Sequence, residues 1–310
     1  RNLSALDLFR KVIYCETNAN DYRQSKVRDI LDIVRFPFMD KKRYLYSLGL
    51  SKKYDEIVFH NFTYFTYAIF DYYGKCYPET KFSCMEEGIL SYNQSLETGK
   101  RVSVLNFLNG KKNNIFERID KYYCFCPSFK KKSYEREIVK IPDIKTTGGR
   151  FLDVVNRIYE YRPLHIDEKY IFFGNSMCID GTCRQEPDVV EKVADAVGKG
   201  NLIVKVHPRE DRKIYQNTGV KVMENASLPW EVYYLNGDFE SKIFLSTVSN
   251  AFLNAFLLKG EEAKGIFLFP LIERNEYIRQ RGVEITEMLD AMHAAGIMKN
   301  CRIGRLEDLR

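Results

Sequence analysis

Short runs of apolar residues alternate with longer amphipathic segments along the second half of the chain. The runs are rich in β-branched and aromatic residues, and each leads into a polar turn and then a helical pattern, which predicts parallel βαβ units. We predict a helix at 187–197 and strands at 169–174, 201–206, 220–223, 242–245 and 265–269. These elements predict a doubly wound α/β domain, whose ligands gather beyond the carboxyl ends of its strands.

The first half alternates in the same way and contains more aromatic residues. Its pattern predicts helices at 44–50, 63–73 and 151–161 and strands at 55–61, 80–85 and 121–126. Gly148-Gly149 precedes the last of these helices and Arg162-Pro163 ends it, so this region is the predicted linker. We therefore predict two Rossmann-like domains, at 1–162 and 163–310.

The length of 310 residues agrees with two domains of about 150 residues each. The chain opens on an apparent helix at Leu3-Ser4-Ala5-Leu6. We therefore expect that the start is truncated and that a first strand precedes it.

Composition places the chain among globular proteins, with 45% hydrophobic and 29% charged residues. A cytoplasmic location is expected, since the sequence has neither an apolar run long enough to cross a membrane nor a signal peptide. The eight cysteines lack the spacing of a zinc site, which predicts reduced thiols and no metal. The net charge of +6 and Lys130-Lys131-Lys132 indicate a solvated basic face, with attraction to anionic nucleotide sugars or to the inner membrane surface as the alternative. We find no nucleic-acid-binding motif.

The segment from Val204 to Glu210 is the first candidate site. Its predicted strand delivers His207 to the carboxyl edge of a parallel sheet, and Pro208 fixes the turn that follows. An imidazole there can stabilise or protonate a departing phosphate, and Lys205 and Arg209 add positive charge. The alternative is a structural His after a strand, but the charged neighbours favour a nucleotide site.

Two further segments could hold parts of a nucleotide. Ser246-Thr247 and Ser249-Asn250 form a hydroxyl-rich turn between a strand and a helix, where they either cap the helix or help its N-terminus to bind a phosphate. Pro229-Trp230-Glu231 begins another helix, and Glu231 could accept hydrogen bonds from both ribose hydroxyls. A simple helix start explains that segment equally well.

The general base has two candidate positions. Glu86-Glu87-Gly88 follows a strand, and crowding of two carboxylates raises the pKa of one of them. Asp180 lies in the loop after the first strand of the second domain. Either segment is alternatively a solvated turn.

Taken together, these segments resemble the lipooligosaccharide sialyltransferase family, which includes streptococcal capsular enzymes. Bacterial sialyltransferases share an acidic pair with Gly, an HP motif and a Ser-Ser/Thr motif. Glu86-Glu87-Gly88, then His207-Pro208, then Ser246-Thr247 or Ser249 reproduce their order, and the resemblance spans residues 82–258. Ser249-Asn250 departs from a clean Ser-Ser pair, so the hydroxyl that binds phosphate is left open.

The resemblance implies a GT-B fold, with a cleft between the two Rossmann-like domains, and an inverting, metal-independent transfer from CMP-sialic acid with no other cofactor. The acceptor would be a galactoside hydroxyl of a surface glycan, lipooligosaccharide or capsule, and the protein would be a homodimer. His207 would contact the CMP phosphate as acid or electrostatic stabiliser, Glu231 would bind the ribose, and the Ser249 region would hold the phosphate. The base would be Glu87 by resemblance to the related sialyltransferase families, and Asp180 by resemblance to the lipooligosaccharide branch.

Two other functions stay open. The first is a glycosyltransferase with another CMP-sugar donor, of the Kdo type, or another capsule-building enzyme. The second is a non-catalytic component of surface-polysaccharide assembly that binds sugar nucleotides.

Overall fold

The computed structural model describes residues 40–47, 49–50, 52–60, 64–86, 118–129, 136–142, 144, 149–224, 228–260 and 262–309. These residues fall into two compact units, which divide between Ile141 and Pro142. Each unit contains one parallel β-sheet.

The first unit carries a four-stranded parallel sheet in the order β1-β2-β3-β4. Its core forms where helix α2 packs on the sheet, and the ring of Phe70 stacks on that of Phe82 at 4.2 Å. The elements are α1 (Lys41–Ser47), β1 (Glu56–Phe59), α2 (Tyr64–Cys76), β2 (Lys81–Met85), β3 (Ile119–Cys124) and β4 (Glu137–Lys140).

The second unit carries a six-stranded sheet in the order β10-β9-β8-β5-β6-β7, with every neighbouring pair parallel. Its strands are β5 (Tyr170–Phe173), β6 (Leu202–Lys205), β7 (Lys221–Val222), β8 (Ile243–Ser246), β9 (Lys264–Phe267) and β10 (Cys301–Ile303). Its helices are α3 (Gly149–Tyr159), α4 (Glu186–Val197), α5 (Trp230–Asn236), α6 (Ala251–Lys259) and α7 (Glu276–Ala294).

Both faces of the second sheet are covered. Every residue of β5 and β6 is buried, which explains why these strands are apolar at every position except Lys205, rather than alternating. On one face, Phe173 of β5 packs against Trp230 of α5 at 5.0 Å. On the other, the Tyr170 hydroxyl donates to the Leu309 carbonyl at 2.7 Å. The α/β class and the two parallel-sheet units predicted from the sequence are therefore confirmed.

The unit boundary lies earlier in the chain than the predicted division after residue 162. Helix α3 belongs with the second unit, because the side-chain amides of Asn156 and Asn236 donate to each other at 2.8 and 2.7 Å. No helix among the described residues is long and apolar enough to cross a membrane.

Candidate functional site

The carboxyl ends of β5, β6 and β8 lie at one edge of the second sheet. Strand β5 is central, with β6 on one side and β8 on the other. The chain runs outward from β5 through β6 and then returns to β8, so its winding direction reverses between β5 and β8. Ligands of doubly wound folds bind in the crevice beside such a reversal. The ends of β6 and β8 are two strand spacings apart, about 10 Å.

His207 lies in the tight turn after β6. The N–H of Glu210 donates to the His207 carbonyl at 2.9 Å and closes this turn around Pro208. The N–H of Arg209 donates to Nδ1 of the His207 ring at 3.2 Å. Burial, with the charges of Arg209 and Lys205, lowers the pKa of His207 below its usual value. The ring is therefore neutral at pH 7, and because Nδ1 accepts, its hydrogen is on Nε2, which can donate to a ligand.

Lys205 ends β6 and is almost fully buried. Its register partner on β5 is Phe173, so its side chain lies on the sheet face that α5 covers. Burial lowers the pKa of Lys205 to about 8, although the negative charge of Glu231 acts to raise it. Burial also raises the pKa of Glu231, against the opposing charge of Lys205. The buried Lys205 and the half-buried Glu231, of opposite charge, thus lie beneath the carboxyl edge.

Asp180 forms an ion pair with Arg209 of the turn after β6. The Arg209 guanidinium donates to its carboxylate at 3.0 and 3.2 Å, and the Ser176 hydroxyl donates to it at 2.7 Å. Glu210 supports the same loop, since its carboxylate accepts the N–H groups of Cys178 and Ile179 at 2.9 and 3.0 Å. The loop after β5 and the turn after β6 are therefore held together, and Arg209 serves that link.

The turn after β8 contains two kinds of polar side chain. Some are buried and bonded within the protein, and others lie near the surface. Ser246 and Thr247 are fully buried. The Ser246 hydroxyl donates to the Phe173 carbonyl at 2.9 Å and accepts the Ser249 N–H at 2.8 Å. This differs from the prediction that Ser246 and Thr247 bind phosphate, because both hydroxyls are used inside the protein. Ser249 and Asn250 are only partly buried, so they are the members of the motif that a ligand can reach.

Asn250 is the N-cap residue of α6, yet its side chain makes no capping hydrogen bond. Its Oδ1 atom is buried and has no hydrogen-bond partner among the described residues. The Ser249 hydroxyl accepts the Ala251 N–H at a long 3.4 Å. The first turn of α6 thus keeps donor groups that an anion can use.

A buried carboxylate that the sequence did not single out joins the two loops beside the crevice. Glu186, in the first turn of α4, accepts hydrogen bonds from the Asn175 N–H and side-chain amide, both at 2.8 Å. The hydroxyls of Thr247 and Tyr215 also donate to it. Burial raises the pKa of Glu186, and these hydrogen bonds oppose that rise. Gly174 is required here, since a Cβ atom would lie 2.6 Å from the Tyr215 hydroxyl oxygen.

Trp230 corrects another prediction. Its side chain is 1% exposed and packs on Phe173, Phe239 and Phe244, so it belongs to the core rather than to a nucleotide surface. Pro229 is the N-cap residue of α5 and makes no side-chain cap hydrogen bond. Within Pro229-Trp230-Glu231, only Glu231 brings a charged group toward Lys205.

In the first unit, Glu86 is buried and its carboxylate accepts the Phe125 N–H at 3.0 Å, which indicates a structural role. Glu87, the alternative base, lies outside the described residues. Among those residues, no group of three or more His, Cys, Asp or Glu side chains is arranged to hold a metal ion.

The site thus combines the neutral Nε2–H donor of His207 and the open first turn of α6, and the buried Lys205 ammonium beneath them adds positive charge. These groups suit the oxygens of a phosphate, and Glu231 can accept hydrogen bonds from hydroxyls.

No protein-family model matches the chain, and no curated protein sequence was found to be similar. Among solved structures, that of the calicheamicin glycosyltransferase resembles the chain with a TM-score of 0.47 and 12% sequence identity. The similarity covers 96% of this chain and 74% of that one. A similarity this distant assigns no activity, so function is inferred from the residues of the site.

Proposed function

We propose that this chain is an inverting, metal-independent glycosyltransferase of the GT-B type. It transfers sialic acid from CMP-sialic acid to a galactoside hydroxyl of a surface glycan. The order of the three short motifs suggests this donor. The observation that carries the proposal is the neutral imidazole of His207, whose Nδ1 accepts the Arg209 N–H and whose Nε2–H is left for a phosphate oxygen.

In the proposed reaction, the acceptor oxygen bonds to the anomeric carbon of sialic acid as the bond from that carbon to the CMP phosphate oxygen breaks. The electron pair of the broken bond stays on the phosphate, and a carboxylate takes the acceptor proton. His207 stabilises the departing phosphate as a hydrogen-bond donor rather than as an acid, because its pKa is lowered. The Lys205 ammonium adds positive charge on the same side of the reaction.

Glu87 is the better of the two candidate bases. Asp180 already accepts hydrogen bonds from Arg209 and Ser176, which compete with an acceptor hydroxyl for its oxygens. In this proposal Asp180 keeps Arg209 in place, and Glu87 removes the proton.

The test is CMP release and product formation from CMP-N-acetylneuraminic acid with lactose as acceptor. His207→Ala is compared with His165→Ala, because His165 is 88% exposed and far along the sequence from the site. We expect His207→Ala to lose turnover and CMP affinity and His165→Ala to retain both. The proposal fails if no sugar nucleotide is hydrolysed or transferred and His207→Ala binds CMP as the unmodified protein does.

A thermal-shift comparison of CMP, UDP, GDP and ADP identifies the donor class. Preference for CMP together with turnover of CMP-Kdo alone would point to the Kdo-type alternative. CMP binding without turnover of any donor, unchanged by Glu87→Gln and Asp180→Asn, would point to the non-catalytic alternative.

A further inference from the structure

A cavity lies at the same carboxyl edge, between the loop that leads from β5 into α4 and the loop that leads from β9 into α7. Its volume is about 750 Å³, within the range that binds small ligands. The lining is polar and includes Arg184, Gln185, Glu273, Arg274 and Asn275.

Two guanidinium groups, those of Arg184 and Arg274, face this cavity. Arg184 and Arg274 are exposed, and neither forms a salt bridge or side-chain hydrogen bond within the part of the chain that the structure describes. Arg209 differs, since Asp180 already engages it. A guanidinium group presents a planar fork of donors that matches a carboxylate or a phosphate.

The backbone around the cavity is fixed. Arg274 has a φ of 55°, in the left-handed region that side chains other than glycine rarely adopt. The Asn275 side-chain amide donates to the Thr182 carbonyl at 2.9 Å and joins the two loops, while its Oδ1 caps α7 by accepting the Ile278 N–H. Arg274 is therefore held in a costly conformation at the wall of a cavity, as is common for ligand-binding residues.

The rest of the lining suits sugar hydroxyls. Glu273 can accept hydrogen bonds from hydroxyl groups, and Gln185 can both donate and accept them. The cavity therefore offers two cationic forks beside neutral and acidic hydrogen-bonding groups, a combination that fits an acidic sugar better than a free inorganic anion.

We propose that the cavity between Arg184 and Arg274 is a second oxyanion site, which binds the carboxylate or phosphate group of an acidic saccharide. The wall of this site that follows β9 lies three strand spacings from β6, about 14 Å. The wall that follows β5 begins one residue after Asp180, which Arg209 binds, so the site borders the turn that carries His207. The assignment of the saccharide to a glycosyl-transfer reaction rests on the proposed function. The binding of an oxyanion by the two arginines does not depend on that function.

The test uses the full chain and three probes: N-acetylneuraminic acid, its uncharged methyl ester and inorganic phosphate. Binding is measured by calorimetry with and without saturating CMP. The variant Arg184→Ala/Arg274→Ala is compared with Lys192→Ala, which removes one charge from the exposed face of α4 outside the cavity. Arg274→Gly is a second variant, because glycine adopts the left-handed backbone without strain and should not lower the melting temperature.

We expect the acid to bind about tenfold or more tightly than its ester, since hydrogen bonds between charged groups are stronger than neutral ones. The double variant and Arg274→Gly should lose this preference, and Lys192→Ala should keep it. Equal binding of acid and ester, no binding of the acid, or binding unaffected by both arginine variants would overturn the proposal. Binding of phosphate without the acid would overturn it as a saccharide site. If CMP does not bind but the acid does so through these arginines, the proposed function fails while the second site stands.

Discussion

The Arg209 guanidinium binds the Asp180 carboxylate at 3.0 Å, and this link joins the turn after β6 to the loop after β5. A carboxylate held in this way is poorly placed to accept a proton from a sugar hydroxyl. We therefore expect Asp180→Asn to lower turnover less than tenfold and Glu87→Gln to lower it by about 10²–10⁴, the usual contribution of a general base. Steady-state turnover at saturating donor and acceptor separates the two, and a larger loss for Asp180→Asn would reverse the assignment.

Removal of the His207 ring should act on the departing phosphate. Loss of one preorganised donor to a developing oxyanion typically lowers kcat about 10²–10³-fold, and we expect His207→Ala to fall in that range. Because the ring is neutral at pH 7, the salt dependence of CMP binding should not change in this variant. A reduced salt dependence would show instead that the imidazole is charged when CMP binds.

CMP binding should depend on pH through Lys205. The pKa of Lys205 is about 8 in the folded protein, so its ammonium group is present below that pH and is lost as the pH rises through it. The affinity for CMP should fall about tenfold between pH 7 and 9.5, the effect of one charged hydrogen bond. The charge of the phosphate itself changes little over this range, since its second pKa is roughly 6. Calorimetry in buffers of different ionisation enthalpy should detect proton uptake on binding near pH 8.

Lys205→Met is the control for this pH dependence and should abolish it. The same variant has a separate effect on stability. A lysine whose pKa is lowered by folding destabilises the folded state below the folded pKa, and this penalty disappears as the pH rises toward the ordinary lysine value. We expect Lys205→Met to raise the free energy of unfolding by about 1–3 kcal/mol at pH 7 and by less at pH 10. Equal gains at both values would contradict the lowered pKa.

Glu186 should be a major stabilising residue of the second unit. Glu186→Ala leaves the Asn175 amide and the Thr247 and Tyr215 hydroxyls without their acceptor, at a cost of about 3–5 kcal/mol. Glu186→Gln keeps one acceptor oxygen and should cost roughly half as much. Tyr215→Phe removes a single donor and should cost about 1 kcal/mol. Urea unfolding of the three variants measures this order, and a neutral Glu186→Ala would exclude the network as a source of stability.

Trp230 should matter for stability and not for ligand binding. Trp230→Ala removes a buried ring that packs on Phe173 and Phe244 and should cost about 3–5 kcal/mol. Trp230→Phe should cost much less and should bind CMP with unchanged affinity. A large loss of CMP affinity in Trp230→Phe would return the indole to the nucleotide site.

The sequence predicted those strands and helices whose pattern of apolar residues results from burial in the fold. The runs of β5 and β6 are apolar at nearly every position because helices cover both faces of the sheet. Strand β4 was missed, since its four residues begin and end with charged, exposed side chains, and the three residues of β10 are too few to show a pattern. Helix α7 was indicated only as a helical pattern after the strand at 265–269, without bounds, although Asn275 marks its start by accepting the Ile278 N–H.

Site residues could be predicted from the sequence only where the strand directly before a residue determines where that residue lies. His207 follows a clear apolar strand, so its place at the carboxyl edge could be predicted. Glu186 could not be identified, because its buried state depends on donors such as Thr247, which is 61 positions away in the sequence. For the same reason, the internal roles of the Ser246 and Thr247 hydroxyls emerge only from the fold.

The reciprocal amide pair of Asn156 and Asn236 bears on how the protein can be divided for separate study. A fragment that starts at residue 163 would lose α3 and leave the Asn236 amide and the neighbouring surface of α5 open to water. A fragment that starts at residue 142 would keep that helix on its partner. Isotope-labelling or ligand-screening work on the second unit alone should therefore begin at the earlier cut.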